Sequence, residues 1–314
     1  MQPSDRQLPY VLSDAQNQAI YEIVKNDLLE PLKKADKPQI AFYLSGQPGS
    51  GKTILKNHLL GDTNIQRSTL VINTDELREY HPAYRELLAD PVNFASAPYL
   101  VNPDSVKWAE RLRVDAIQGG YNLLFDVTLG GNHEHYIQSM NELKALNYKI
   151  YIAVLAVKPE LSRLGIHLRY ERQLEAEGSG RFVNMNVHDK NYKMLTENLN
   201  AIMKSVDLDA IAVYKRKVYE QGDQLLNNAV ESVVGTDKSP KNHDASVYND
   251  VIIDAINKER ERDWTSLEKD YLKIRIDQVE QLLKNRGGDL SVFKEDIKDL
   301  IAVVGEDYRR SQGR

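Results

Sequence analysis

The chain has 314 residues, of which 41% are hydrophobic and 28% are charged. This composition is ordinary for a globular protein and excludes a largely disordered chain or a coiled-coil rod. Lysine and arginine number 41 against 46 acidic residues, so the net charge of −5 argues against a general nucleic-acid coat. With no cysteine there is no disulfide, thiolate metal ligand or cysteine nucleophile.

The sequence also bears on location. The first ten residues are polar and lack the apolar segment of a signal peptide. No run approaches 18 apolar residues, so we expect no membrane span. The expected location is the cytoplasm, although an effector secreted through a folded or C-terminal signal would have the same properties.

Predicted helices and strands alternate along the first two thirds of the chain. Ser13 followed by Gln16 predicts a capping box that opens the first helix. Five short apolar runs predict strands, and helical patterns separate them. The predicted strands are 40–44, 69–73, 122–125, 149–157 and 210–215, and the predicted helices between them are 53–60, 103–118, 132–146, 159–177 and 189–206. This alternation predicts an α/β fold, a parallel sheet with helices on both faces.

The pattern changes after residue 217. A stretch rich in Lys, Asp, Ser and Pro predicts an exposed linker. Beyond it, helical spacing predicts a long helix that ends at Gly287-Gly288, and a last helix over 291–304. The predicted division is an α/β domain over 1–217, a linker over 218–246 and a helical C-terminal extension over 247–314.

The most specific motif fits G-x-x-x-x-G-K-[ST] at every defined position. It consists of Gly46, Gln47, Pro48, Gly49, Ser50, Gly51, Lys52 and Thr53. A predicted strand precedes it and a predicted helix follows, so backbone N–H groups and a helix N-terminus would face an anion. We expect Lys52 to reach the β- and γ-phosphates of ATP or GTP, and the Thr53 hydroxyl to bind Mg²⁺. The predicted fold is therefore a P-loop NTPase or kinase.

Two acidic residues follow predicted strands. Because ligands bind beyond the carboxyl ends of parallel strands, Asp75 should lie beside the phosphates and could take a proton from an attacking hydroxyl. Alternatively, Asp75 only caps a helix. Arg78, one helical turn further on, could face the same cleft or be a solvated residue. Asp126 could hold Mg²⁺ through water or bind substrate hydroxyls, or it could be buried with a local hydrogen bond.

Arginines cluster around a predicted lid. The helix over 159–177 carries Arg163, Arg169 and Arg172, and Arg181 follows a glycine-rich turn. Guanidinium groups suit the charge that spreads over the oxygens of a transferring phosphoryl group. The alternative is a set of salt bridges to nearby glutamates on a solvated helix face.

Together, the phosphate loop, Asp75 followed by His81-Pro82, and Phe125-Asp126-Val127-Thr128 resemble the zeta toxin family of bacterial toxin–antitoxin kinases. The resemblance covers about residues 16–215. It implies a fold similar to chloramphenicol phosphotransferase and polynucleotide kinase. It also implies phosphorylation of the sugar 3′-hydroxyl of UDP-N-acetylglucosamine with ATP or GTP and Mg²⁺, which would block the supply of cell-wall precursors. A small helical antitoxin is implied as a partner.

The resemblance also assigns roles to residues. Asp75 matches the catalytic base, and Arg169 and Arg181 match the lid arginines that act with Lys52. The candidate substrate-binding residues are Arg78, His81, Asp126 and Thr128. The stretch 129–132 lacks a basic residue that some family members place there, so the acceptor could differ. A related effector of similar fold phosphorylates a nicotinamide dinucleotide.

Other functions remain open at this stage. One is a kinase that acts on an NAD-type acceptor or on the 5′-hydroxyl of a nucleic acid, although the acidic balance disfavours nucleic acid. Another is a P-loop ATPase or switch without an organic acceptor. The guanine-reading Asn-Lys-x-Asp motif of switch GTPases is missing from the sequence.

Overall fold

The computed structural model describes residues 10–90, 92–94, 96–221, 224–236 and 245–305. The strands of these residues are β1 (Ile40–Ser45), β2 (Thr69–Ile72), β3 (Asn122–Val127), β4 (Lys149–Ala156), β5 (Ala210–Gln221) and β6 (Gln224–Thr236). The longer helices are α1 (Asp14–Leu28), α2 (Lys52–Leu59), α6 (Ala97–Gly119), α7 (His133–Ala145), α8 (Pro159–Glu177), α9 (Met185–Ser205), α10 (Ala245–Glu261) and α11 (Ser266–Asn285). The shorter helices are α3 (Thr63–Ser68), α4 (Thr74–Leu77), α5 (Tyr84–Ala89), α12 (Leu290–Asp296) and α13 (Lys298–Val304), and a 3₁₀ turn covers Arg78–Tyr80.

The strands form one six-stranded sheet in the order β2-β3-β1-β4-β5-β6. The first five strands in this order are parallel to their neighbours, and β6 pairs antiparallel with β5. The carboxyl ends of β1, β2 and β3 therefore meet at one edge of the sheet. Because the phosphate loop follows β1, this edge is where a nucleotide would bind. The predicted α/β class with a parallel sheet is confirmed.

Helices cover both faces of the sheet. Ala41 and Tyr43 of β1 pack into the cluster that α1, α6, α7 and α9 cover, whereas Phe42 and Leu44 pack into the cluster that α2, α8 and α11–α13 cover. Alternate side chains of a strand point to opposite faces, so a central strand covered on both sides reads as a continuous apolar run. This is why the run that begins at Ile40 is visible in the sequence.

The predicted linker over 218–246 is wrong for its described residues. β5 continues to Gln221, and β6 returns along it as an edge strand from Gln224 to Thr236. An edge strand carries polar residues among its apolar ones because one of its sides is unpaired, and this obscures the strand pattern. Residues 237–244 of the predicted linker lie outside the described residues.

The C-terminal helices pack on the same core as the phosphate loop. The predicted long helix is confirmed as α11, which is followed by Gly287 at a φ of +70°. The predicted last helix is two short helices, α12 and α13, and the sequence analysis missed α10. Tyr271, Leu272 and Ile276 of α11 lie in the apolar cluster that contains Phe42. The predicted C-terminal extension therefore covers one face of the sheet directly.

Candidate active site

The phosphate loop, residues 46–53, joins β1 to α2. Gly49 and Gly51 have φ angles of +76° and +94°, in the left-handed region that glycine adopts without strain. Gly51 is the N-cap of α2, and no side chain in the described part of the chain caps this helix. Its first N–H groups are therefore available to an anion. The buried Ser50 hydroxyl likewise has no hydrogen-bond partner among the described residues.

The donor set around the loop fits a magnesium–nucleotide complex. Lys52 Nζ donates to the carbonyl oxygen of Gly46 at 3.0 Å and lies 3.7 Å from Asp126 Oδ1. Thr53, in the first turn of α2, is exposed. A lysine, a hydroxyl and a nearby carboxylate beside free N–H groups form the set that P-loop proteins use to bind phosphates and Mg²⁺. Lys52 and Thr53 would hold the complex, with Asp126 within reach of the cation.

The back of the loop packs directly on α8. Gln47 is fully buried, and its side-chain amide donates to Val157 O at 2.7 Å and to Ser162 Oγ at 3.2 Å. The Ser162 hydroxyl in turn lies 2.7 Å from Nε2 of the buried His188. A Cβ on Gly49 would lie 2.0 Å from the Ser162 carbonyl oxygen, so only glycine permits this approach. The Gln47 side chain therefore holds the loop against α8, and the backbone of the loop remains available to a phosphate.

Asp75 lies in α4, the short helix that follows β2. Asn73, rather than Asp75, is the N-cap, because Asn73 Oδ1 accepts a hydrogen bond from the Asp75 N–H at 3.0 Å. Asp75 Oδ1 accepts a hydrogen bond from Arg78 Nη1 at 2.6 Å, and Oδ2 pairs with Arg181 Nη1. Removal from water acts to raise the pKa of Asp75, but the charges of Arg181, Arg78 and Lys52 outweigh it and hold the pKa below its usual value. The side chain is 42% exposed, so it remains accessible to a ligand.

Arg78 is oriented by a residue that the sequence analysis missed. Its Nη2 donates to Asn102 Oδ1 at 2.7 Å, while its Nη1 holds Asp75. Asn102 lies in α6, which begins six residues before the predicted start at Pro103. A proline is tolerated in the first turn of a helix and disfavoured inside one, so the sequence favoured a helix start at that position. That interpretation placed Asn102 outside the helix and hid its role.

Asp126 is the second acidic group of the cleft. Its side chain is only 10% exposed and accepts a hydrogen bond from Asn73 Nδ2 at 3.2 Å. Burial raises the pKa of Asp126, and the positive charges of Lys52 and Lys56 only partly oppose this effect. Asn73 also donates to Glu76 Oε1, which Lys56 Nζ contacts at 3.2 Å. A carboxylate with a raised pKa gains stability from a nearby divalent cation, which is the role predicted for Asp126.

The four arginines of the predicted lid divide into two pairs. Arg181 reaches Asp75, and removal from water together with the charge of Arg181 lowers the pKa of Arg169, so these two guanidinium groups lie on the cleft. Arg169 is partly enclosed by its neighbours but still reaches solvent. Arg163 instead pairs with Asp189 at 2.9 Å, and Arg172 donates to Gln278 at 3.1 Å.

Two of the predicted substrate-binding residues have other contacts. His81 is 3% exposed, and its Nε2 lies 3.1 Å from the carbonyl oxygen of Tyr10 and 3.6 Å from Asp104 Oδ2. His81 therefore lies below the cleft surface, where it can act on a substrate only by supporting its neighbours. The Thr128 hydroxyl is half-buried and donates to Asn191 Oδ1 at 2.7 Å. The structure thus brings Lys52, Asp75, Arg78, Asp126, Arg169 and Arg181 together but not His81.

The described residues contain no cluster of three or more His, Asp or Glu side chains arranged to hold a metal ion. In the part of the chain that the structure describes, no helix has the length and apolar character needed to cross a membrane.

Comparison with known proteins agrees with this geometry. The family model described as Zeta toxin matches residues 25–231, which include the phosphate loop, Asp75, Asp126 and both cleft arginines. The chain belongs to the zeta toxin family. This is a family of kinase-like toxins with a P-loop, so the chain is a P-loop protein of the kinase type that uses a nucleotide and Mg²⁺.

Individual members of the zeta toxin family are moderately similar to this chain. It is 32% identical to Toxin zeta of Enterococcus hirae over 207 residues, 63% of this chain and 69% of that protein. It is 33% identical to Toxin zeta of Streptococcus pyogenes over 200 residues, 61% of this chain and 67% of that protein. Toxin PezT of Streptococcus pneumoniae is 26% identical over 254 residues, 80% of this chain and 90% of that protein.

A solved structure shares the fold of this zeta toxin family member. It comes from a characterisation of the PezAT chromosomal toxin-antitoxin system of Streptococcus pneumoniae. The TM-score is 0.67 with 23% sequence identity, and the match covers 87% of this chain and 99% of the other. Because the match extends well beyond residues 1–217, part of the C-terminal helical layer belongs to the shared fold.

Proposed function

We propose that this zeta toxin transfers the γ-phosphate of ATP, or of GTP, to the 3′-hydroxyl of the sugar of UDP-N-acetylglucosamine. The observation that carries the proposal is the position of Asp75. Its carboxylate lies at the carboxyl edge of the sheet, within the field of Lys52 and between Arg78 and Arg181. A switch or an ATPase without an organic acceptor has no need of an acceptor-side carboxylate held by two guanidinium groups.

The donor half of the site would bind a magnesium–triphosphate complex. When bound, this complex supplies the phosphoryl group and offsets part of its negative charge. The N–H groups of the phosphate loop and Lys52 would hold the phosphates, and the Thr53 hydroxyl would bind the cation. Asp126 would reach the cation through a water molecule, and its pKa would fall as the positive charge approaches.

Asp75 would act on the acceptor hydroxyl. Because its pKa is low, Asp75 is ionised at neutral pH and can accept a hydrogen bond from that hydroxyl. As the hydroxyl oxygen bonds to the γ-phosphorus and the bond to the β-phosphate oxygen breaks, the hydroxyl proton passes to the Asp75 carboxylate. Arg181 would leave Asp75 and bind the γ-phosphate oxygens, with Arg169 beside it. Arg78 would keep the Asp75 carboxylate oriented.

The proposed product would make the chain toxic, and similarity to a toxin-antitoxin system suggests a partner. A phosphorylated UDP-N-acetylglucosamine cannot serve as a cell-wall precursor if the enzymes that use it need a free 3′-hydroxyl. The substrates are cytoplasmic metabolites, so we propose that the chain acts in the cytoplasm. By similarity to the PezAT toxin-antitoxin system, we also propose that a small helical antitoxin neutralises it.

The test is phosphate transfer by the purified chain. The chain is incubated with Mg²⁺, ATP and UDP-N-acetylglucosamine, and products are identified by mass spectrometry and ³¹P NMR. We expect one phosphate on the sugar 3′-oxygen, no product from an analogue without the 3′-hydroxyl, and product formation that is about 10²- to 10⁴-fold slower with Asp75→Asn. Phosphate on NAD or on an oligonucleotide would refute the proposed acceptor while preserving a kinase. ADP release at one rate with and without every acceptor would refute the kinase itself.

A further inference from the structure

Arg216 extends from β5 to the level of the phosphate loop. Ser45, the last residue of β1, pairs with Val154 of β4, and Val154 pairs with Val213 of β5. Arg216 follows Val213 by three residues, which is about 10 Å further along an extended strand. It therefore projects beyond the edge of the sheet at which the loop begins.

The side chain of Arg216 covers one glycine of the loop. A Cβ built on Gly51 would lie 3.3 Å from Cδ and Nε of Arg216 and 3.4 Å from Cζ. The guanidinium therefore lies against the N-cap of α2, next to Lys52. This helix end carries a partial positive charge of its own, so two positive groups adjoin each other in the absence of an anion.

The protein partners of Arg216 are neutral. Its Nε donates to Asn227 Oδ1 at 2.9 Å, its Nη2 donates to Asn227 O at 3.0 Å, and it has a further hydrogen bond with Tyr271. Among the residues that the structure describes, no carboxylate forms an ion pair with it. Burial lowers the pKa of Arg216, and the charge of Arg275 acts in the same direction. Since a guanidinium stays protonated, the fold holds a positive charge that these contacts do not neutralise.

Three other cations of the cleft differ in this respect. Lys52 lies 3.7 Å from Asp126, and Lys56 lies 3.2 Å from Glu76. Arg181 pairs with Asp75. A mostly buried positive charge is expected to have a negative partner. The nearest feature that could hold an anion is the phosphate loop itself.

We propose that Arg216 is a nucleotide-binding residue whose guanidinium supplies positive charge to the phosphate groups of a nucleoside triphosphate held in the loop. This assignment rests on the proposed function, which requires a triphosphate donor. Asn227 and Tyr271 hold the guanidinium in place, so little side-chain entropy is lost when the phosphates arrive. The β5–β6 hairpin thereby becomes part of the nucleotide site.

A purely structural Arg216 would behave differently from a phosphate-binding one. If it only joins the hairpin to α11, replacing it should destabilise the fold and leave nucleotide affinity unchanged. If it serves the phosphates, a neutral side chain of similar length should relieve an uncompensated charge and weaken nucleotide binding. Stability without nucleotide and affinity for nucleotide therefore change in opposite directions under this proposal.

The experiment compares Arg216→Met and Arg216→Lys with the parent chain. The control is Arg275→Met, because Arg275 lies near Arg216 but stacks over Tyr271 at 4.9 Å and donates to Gln278. Each protein is titrated with a non-hydrolysable ATP analogue and Mg²⁺ by calorimetry, and with adenosine by ligand-observed NMR. Unfolding in denaturant is measured without nucleotide.

We expect Arg216→Met to bind the ATP analogue about 10- to 100-fold more weakly, the range for one lost hydrogen bond to a charged group. Its adenosine affinity should be unchanged, and its unfolding free energy should be equal to or above that of the parent. Arg216→Lys should lose less affinity for the analogue, because it keeps the charge. Arg275→Met should bind both ligands like the parent.

Three results would overturn the proposal. They are an unchanged affinity of Arg216→Met for the ATP analogue, an equal loss of affinity for adenosine, and failure of both Arg216 variants to fold. The first and third indicate a structural role, and the second indicates contact with the base. If the parent itself does not bind the analogue, the proposed kinase function fails first. If only the variant comparison fails, the kinase function stands without Arg216.

Discussion

Gly165 provides a sharp test of the contact between the phosphate loop and α8. It lies in the interior of α8, where replacing glycine by alanine ordinarily stabilises a helix by about 1 kcal/mol. Here a Cβ would lie 2.4 Å from the carbonyl oxygen of Gly49 and 3.3 Å from its carbonyl carbon. Helix propensity and packing therefore predict opposite effects for Gly165→Ala.

The size of the clash decides between these effects. Ordinary contact with a Cβ begins at 3.4 Å, so the loop and α8 must separate by 3.4 − 2.4 = 1.0 Å. Overpacking of this kind costs about 1–3 kcal/mol, which cancels or exceeds the gain in helix propensity. A displacement of about 1 Å in a phosphoryl-transfer site can reduce the rate by about 100-fold. We therefore expect a large loss of activity with a modest change in stability.

The assay measures kcat/KM for ATP with UDP-N-acetylglucosamine and the free energy of unfolding in denaturant. Gly131→Ala is the matched control, because the nearest atoms to its Cβ would all belong to the Tyr136 side chain, with the hydroxyl at 3.3 Å and no backbone atom closer. The control should keep the parent rate. A Gly165→Ala variant that keeps the parent rate and gains about 1 kcal/mol of stability would refute the argument.

The ion pairs of the cleft and of α8 lead to three further expectations. Asp75→Asn should reduce phosphate transfer by about 10²- to 10⁴-fold without preventing folding, and a variant with the parent rate would exclude Asp75 as the base. Because the arginines lower the pKa of Asp75, its ion pairs stabilise the fold above pH 3.8, and this contribution disappears as the pH falls through the folded-state pKa. The difference in unfolding free energy between the parent and Asp75→Asn should therefore shrink below pH 3.8, whereas a constant difference would contradict the pairing. Arg286→Met removes hydrogen bonds of 2.6 and 2.8 Å from Glu171, whose side chain is 2% exposed. Since Arg286 itself is partly exposed, we expect a loss of about 2–3 kcal/mol, somewhat below the usual cost of breaking a buried pair, and denaturant unfolding that shows no loss would count against it.

The C-terminal helices also contact α8, the helix that carries Arg169. Arg286 follows α11 and pairs with Glu171 of α8, while His167 of α8 lies 2.9 Å from Asp296 of α12. Glu171 is two residues after Arg169, so the two side chains point to different sides of α8. The helical extension that the sequence analysis separated from the nucleotide domain thus supports the helix that carries Arg169.

Local signals in the sequence were sufficient for much of the fold. The Ser13 and Gln16 capping box is present, because both of its hydrogen bonds join residues three apart. The strand before the phosphate loop and the helix after it were predicted to within one residue, since a strand buried on both faces and a glycine-rich loop are visible over a few positions. The β5–β6 hairpin was not predicted, because the polar residues of the edge strand β6 obscure the strand pattern.

By itself, the sequence determined the class of the protein and the identity of its phosphate loop. Only the tertiary structure decided which side chains meet there. Arg181 reaches Asp75 across 106 positions of the chain, Asn102 orients Arg78, and Arg216 covers Gly51. The physical reason is that a parallel sheet returns the chain to the same edge after every crossover, so residues distant in sequence become neighbours. Which of their side chains then touch depends on strand order and helix packing, and no local pattern of residues records these.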